Sequence, residues 1–262
     1  MFLLFLLWVL RALLCGVTLS VASFFDLRTR QVPDKVWLLP APLSAALTAL
    51  WLAYEPWELS NVLLSLGLVA LIGVLGYYSG LMGGADAKAL FFIAISTPIY
   101  RYGPLLPMHP FPPVATFSNA LALSGLSPIY MLVRNLAWRL RTGRSFFEGI
   151  EASPLAKALA LLAGYKMRVE ELREAEFVFP MEVVAEEGGA PRRKLVVFVR
   201  LGEEEELFRR AVKAVEEGTI RDYIWVSPGL PLVFFITVGY LLALAIGDLL
   251  FYLVFTILGL FL

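Results

Sequence analysis

Residues 2–34 read FLLFLLWVLRALLCGVTLSVASFFDLRTRQVPD. From Phe2 to Phe25 the run is apolar apart from Arg11, long enough at about 1.5 Å per residue to cross roughly 30 Å of hydrocarbon as a helix. It stops at Asp26, with Arg28 and Arg30 close behind and Pro33 placed to open another helix. Ser20-Val21-Ala22 has the small residues of a cleavage site. But no charge precedes the run and Arg11 interrupts it, so it reads as a retained first span. An ionisable group at the edge of hydrocarbon is costly, which makes Asp26 a functional candidate. A turn explains it poorly, because an acid at a helix C-terminus opposes the dipole.

The rest of the chain repeats the pattern. Hydrophobic residues make up 59% and charged residues 17%, below the quarter or so charged in soluble domains. Spans are expected near 2–25, 36–54, 59–79, 87–100, 114–133 and 229–248. The third carries Gly67, Gly73 and Gly76, which let neighbouring backbones pack close. The single cysteine, Cys15, excludes an intrachain disulfide or a CxxC zinc site and reads as a small apolar residue within a helix.

Lys and Arg in the short connections set orientation. The first connection holds Arg28, Arg30 and Lys35, the second none, and the fifth begins with Arg134, Arg139, Arg141 and Arg144. Odd connections are therefore expected in the cytoplasm, with both chain ends outside. Asp26 ends the first span and Asp86 opens the fourth, so both are expected at the cytoplasmic face.

Asp86 lies in Gly83-Gly84-Ala85-Asp86-Ala87-Lys88. Glycines before an aspartate permit positive φ and close approach, and so aim its side chain into a cleft. Read alone, Asp86 caps the fourth helix. Two carboxyls that meet, one protonated and one ionised, make the acid/base pair of an aspartic protease, and nearby arginines favour ionisation of one. Lys88 reads as an interface anchor and Asp34 as a helix cap. His109 lies in a Pro-rich outer loop. Arg11 and Asp248 fall at similar depth in the outer leaflet, either paired or separately snorkelling to the interface.

Residues 145–227 differ in kind, with 16 acidic and 12 basic residues, a net of −4. Arg168–Arg173 and Glu203–Glu217 look helical, and Phe177–Glu186 and Arg193–Leu201 flank Gly188-Gly189-Ala190-Pro191 as a hairpin. Tyr223–Val226 reads as a further strand. The run Glu203–Glu206 is a solvated helix start, its functional alternative being attraction of a basic peptide.

The expected fold is a polytopic α-helical membrane protein of about six transmembrane helices, with a small α+β cytoplasmic domain before the last. Residues 1–135 form the membrane domain with five spans, 136–227 the insert, and 228–262 the last span and an apolar tail.

Asp-x-Arg-x-Arg-x-Val-Pro-Asp after the first span, then Gly-Gly-Ala-Asp-Ala-Lys opening the fourth, resembles the GxGD-type membrane aspartyl peptidases. Within them it is similar to archaeal preflagellin (prearchaellin) and prepilin peptidases, relatives of the type IV prepilin peptidases. The resemblance implies that Asp26 and Asp86 are the catalytic pair. Gly83, Gly84, Ala85, Lys88, Arg28 and Arg30 would then support them. Ala85 stands where GxGD has its second Gly, as in archaeal relatives. The cysteine pairs and extra region of bacterial relatives are absent, which favours peptidase activity without methyl transfer. No metal or cofactor is implied, and no nucleic acid. The implied partners are precursors with class III-type signal peptides, cut at the cytoplasmic face of the cell membrane during archaellum assembly, and the bilayer itself. Two alternatives stay open: a cation- or proton-coupled transporter using the two acids, and a non-catalytic assembly factor. No phosphate loop, HExxH or GxSxG motif is present.

Overall fold

The computed structural model describes residues 1–80, 82–187, 190–197 and 204–259. They divide into two compact units, Met1–Ser124 with Pro231–Leu262, and Gly125–Leu230. The boundaries of these units fall at 124/125 and 230/231.

The first unit is helical. α1 (Phe2–Thr29) runs past Asp26 and ends where Arg30 takes a left-handed conformation, φ 53°. Asp26 is therefore in its last turn rather than beyond it. α2 (Lys35–Leu38) and α3 (Pro40–Tyr54) follow, with Pro40 opening α3 where a missing N–H costs nothing. α4 (Leu59–Tyr78), α5 (Gly84–Ser96) and α6 (Pro112–Ser124) come next, and α10 (Leu232–Ala245) and α11 (Leu249–Ile257) complete the unit. Among the described residues, four helical stretches are long and apolar enough to cross a membrane: Phe2–Thr29, Lys35–Tyr54, Pro56–Tyr78 and Pro112–Thr142. α5 and α10, with 13 and 14 residues, reach only about 20 Å each.

Cys15, Leu19 and Ala22 of α1 pack with Ala89, Leu90 and Ile93 of α5 and with Val233, Ile236 and Tyr240 of α10 in one buried cluster. α6 and α10 approach closely. A Cβ added at Gly239 would sit 2.6 Å from the Thr116 carbonyl oxygen and 3.0 Å from the Ala120 nitrogen, both backbone. Backbone cannot swing aside as a side chain does. Gly239→Ala is expected to destabilise the unit by about 3 kcal/mol, read as a Tm several degrees lower in detergent. Gly67→Ala, with open space around its Cβ, should leave Tm unchanged. Equal Tm values for the two variants would contradict the packing.

Asn119 satisfies the backbone where α10 breaks. Its Nδ2 donates to the Gly247 carbonyl (2.8 Å) and its Oδ1 accepts from the Leu249 amide (2.9 Å). Irregular backbone at membrane depth needs such partners.

Neither reading of Arg11 and Asp248 holds. Both are buried, and each has another partner. Arg11 donates to Thr48 Oγ1 (3.3 Å) and lies over the Trp51 ring, 4.5 Å from its centroid. Asp248 accepts from Ser118 Oγ (2.7 Å), caps α11 through the Phe251 amide (2.9 Å), and bonds His109 Nε2 (3.0 Å). His109 is thus an anchor for that break rather than plain loop. Equal depth misled because depth fixes only one coordinate; azimuth around the bundle decides partners.

The second unit begins with α7 (Leu126–Thr142), so the expected span 114–133 lies within the apolar stretch Pro112–Thr142, which carries a single turn residue at Gly125. α7 buries Met131 and Asn135, and Asn135 Nδ2 donates to the carbonyls of Leu161 (3.0 Å) and Gly164 (2.8 Å) at the end of α8 (Pro154–Ala163). β1 (Ile150–Glu151) pairs parallel with β5 (Ala190–Leu195), which pairs antiparallel with β4 (Glu182–Glu187). β2 (Tyr165–Arg168) and β3 (Val178–Pro180) flank β6 (Tyr223–Pro228) antiparallel in a second sheet. α9 (Glu204–Glu216) packs on β3 and β4.

The stretch expected as one strand over 177–186 is two, in different sheets. Met181 makes the crossing: its amide donates to the Trp225 carbonyl and its own carbonyl accepts from Val196. Arg168–Arg173, expected to be helical, holds the end of β2 and a single 3₁₀ turn. The turn residues 188 and 189, and residues 198–203 of the expected second hairpin strand and acidic run, lie outside the described residues. Glu206 pairs with Arg209 (2.9 Å) and Arg210 (2.8 Å) on its own helix, as a solvated helix face does.

Candidate active site

Asp26 is 7% exposed although it sits one turn from the end of α1. Its Oδ2 accepts from the backbone amide of Phe234 (3.3 Å), the third residue of α10, with the Val233 amide beside it. A carboxylate from one helix thereby caps the N-terminus of another, whose first-turn amides have no intrahelical acceptor. The positive end of the α10 dipole faces this charge. Ser23, one turn back on α1, bonds Thr237 of α10 (2.6 Å), so α1 and α10 are tied by two polar contacts a turn apart. The Arg30 charge acts on Asp26. Arg28 is exposed and lies over the Phe24 ring, 5.6 Å from its centroid.

Asp86 is half-buried in the first turn of α5. Its Oδ2 accepts from the Gly83 amide (2.7 Å), so it does cap its own helix. One carboxylate oxygen suffices for the cap, leaving Oδ1 for other chemistry. The Asp26 charge acts on Asp86 through space. The structure thus brings to one unit, within electrostatic reach, two carboxyls separated by 60 positions in the chain.

The glycines act differently from the expectation of positive φ. Gly83 is extended, with φ −82°, and an added Cβ there or at Gly84 would meet no close contact. The left-handed residue is Gly80, φ 73°. The tight position is Gly76, where a Cβ would fall 2.4 Å from Met82 Sδ; its bareness lets Met82 fold onto α4 and set the approach to Asp86. Ala85 packs against the buried cluster of the unit. Lys88 forms an ion pair with Asp34, both well exposed. Asp34 caps nothing through its side chain. That pair clips α5 to the start of α2, and exposed pairs contribute little.

Sequence reasoning missed Phe234, Ser23 and Thr237. Phe234 acts through its backbone, and no side-chain pattern advertises that. A signal was present in Pro231: a proline just before an apolar run marks a helix start. A helix start at the depth of Asp26 is where a carboxylate is welcome.

Two family models match the chain. One, the type IV leader peptidase family, covers residues 13–129, including Asp26 and Asp86. The other, archaeal peptidase A24 C-terminus type II, covers 156–249. Among curated relatives, the preflagellin peptidase of Methanococcus voltae is 23% identical over 240 residues, 88% of this chain and 92% of the relative. Those of Methanococcus maripaludis and Methanocaldococcus jannaschii are each 24% identical, over 88% and 89% of this chain and 92% of their own. With both halves matched, and the two acids inside the first match, the chain belongs to the peptidase A24 family of aspartic-type leader peptidases, with the archaeal C-terminal region.

Proposed function

We propose that this protein is a membrane-embedded endopeptidase that removes the short basic leader from prearchaellin or type IV prepilin-like precursors, with Asp26 and Asp86 as its catalytic pair. The observation that supports the reading is the placement of both acids in one helical unit: Asp26, buried against the first turn of α10, lies within reach of the charge of Asp86 at the start of α5. The name shared by relatives matched over about 90% of their length supports the substrate class.

In the proposed reaction one carboxylate takes a proton from water, which attacks the carbonyl carbon at the junction between leader and apolar segment. The other carboxyl, protonated, donates to the carbonyl oxygen. The tetrahedral intermediate then collapses, the C–N bond breaks, and the proton taken from water passes to the leaving amine. Because the carboxyls share one site, they titrate as a unit.

The proposed topology has six crossings, the short α5 and α10 included, with both acids at the cytoplasmic face. Their own length does not reach across about 30 Å of hydrocarbon, but each lies against longer helices, and the loops at their ends extend the path. A reporter inserted at 188–191 is expected to read cytoplasm, and one fused after Leu262 outside. An outside signal from the insert would move the cleavage site to the other face and overturn the orientation. Mass analysis of the processed precursor tests the reaction itself. The cut is expected between the basic leader and the apolar segment; an unprocessed precursor, with the protein folded and present, would favour the transporter or assembly-factor reading.

A further inference from the structure

The second unit contains a polar cavity of about 470 Å³ that the peptidase reading does not use. Trp138 of α7, Arg144, Ser145 and Glu148 of the following loop, Lys166 of β2, Arg193 of β5, and Arg221 to Tyr223 at the entry to β6 line it. Its floor has an uneven charge balance. Lys166 is 5% exposed and Arg193 16%, and both are held by the single fully buried carboxylate of Glu182. Arg193 donates Nε and Nη2 to Glu182 Oε2, and Nη2 also reaches the Tyr223 carbonyl (3.1 Å). Lys166 Nζ has one bond to Glu182 Oε1, at 3.4 Å, and lies over the Trp225 ring.

Two cations against one carboxylate leave an excess positive charge at the base of a cavity that is open to water. At the rim, Arg144 pairs with Asp222 (2.6 Å), so those two cancel. Arg221 is exposed and donates Nε only to the Gly218 carbonyl (2.8 Å), among the described residues. Glu148 is the acid left at the rim to face Lys166 and Arg221.

We propose that this cavity binds a phosphate-bearing anion, with Lys166 and Arg193 at its floor and Arg221 closing on it from the rim. Three facts favour a compact oxyanion. The donors are guanidinium and ammonium groups, whose N–H bonds suit phosphate oxygens. Lys166 has N–H bonds left over. Burial, with Arg193 beside it, pushes the Lys166 ammonium down to about 8, and the charge of an anion seated against it offsets that cost. The phosphate comes either from a soluble molecule or from a lipid headgroup.

Calorimetric titration of the full-length protein with inorganic phosphate, at constant ionic strength in nanodiscs of neutral lipid, tests the proposal. Saturable binding is expected, stronger than for chloride, and weakened about tenfold in Arg221→Gln, the ratio for loss of one charge-assisted hydrogen bond. Arg221 is exposed, so that variant is expected to keep the wild-type Tm, unlike a change at Lys166. Repeating the titration in nanodiscs containing phosphatidylglycerol separates the sources. Loss of the phosphate signal in wild type there assigns the site to a headgroup; an unchanged signal assigns it to a soluble anion. Phosphate behaving as chloride does in the neutral nanodiscs, or binding Arg221→Gln as tightly as wild type, would overturn the proposal.

Discussion

Replacing either Asp26 or Asp86 with Asn is expected to reduce precursor processing by about 10³-fold or more, and replacing both should cost no more than the worse single change. Asparagine keeps the shape and an acceptor oxygen but can neither take a proton from water nor give one up. The proposed mechanism needs both acts in one turnover, so the first substitution already removes most of the gain. The structure adds a control. Asp86→Asn keeps the oxygen that caps α5 through the Gly83 amide, and Asp26→Asn keeps the one that meets the Phe234 amide. Both variants should therefore fold and insert as wild type does, and Tm in detergent checks this. Additive losses would mean that the two residues act separately and are not a pair.

Loss of Glu182 should have the largest effect on folding. This carboxylate is fully buried and accepts from Arg193 and from the Trp225 amide (2.6 Å), with Lys166 at 3.4 Å. It joins β4 of one sheet to β6 of the other. Glu182→Ala strands two cations and a buried amide, and breaking a buried ion pair from one side costs about 3–5 kcal/mol. The expected result is a unit 125–230 that is cut rapidly by protease at low enzyme ratio while the other unit resists. Glu182→Gln, which retains acceptors but no charge, should fall between. Wild-type resistance in Glu182→Ala would show that the cluster contributes nothing to that unit.

The candidate site was legible in the sequence to the extent that side chains carried it. Asp26 and Asp86 stand out because each ends or opens an apolar run, and the two crossings expected between them lead one to expect both at one face. What supports Asp26 was hidden, because the Phe234 donor is a backbone amide 208 positions away. α5 and α10, which at 13 and 14 residues are shorter than α1 and α4, supply Asp86 and that amide.

The fold was legible where one signal dominated. Long apolar runs gave α1, α3 and α4 within a few residues, and the change of composition near 145 marked a different kind of unit. Elsewhere the expectation failed. The switch of sheets at Met181 has no compositional trace, since residues on both sides are good strand formers. Arg11 and Asp248 were matched on depth alone, and each found its partners on other elements.

The most direct test of the central claim is cleavage of a synthetic precursor by the purified protein in ¹⁸O-labelled water, with wild type, Asp26→Asn and Asp86→Asn run side by side. If the two aspartates activate water, wild type releases a leader whose new carboxyl carries one ¹⁸O after a single turnover, hydroxylamine traps no acyl intermediate, and neither variant releases leader. Leader release by either folded variant, or a hydroxamate product from wild type, would contradict it.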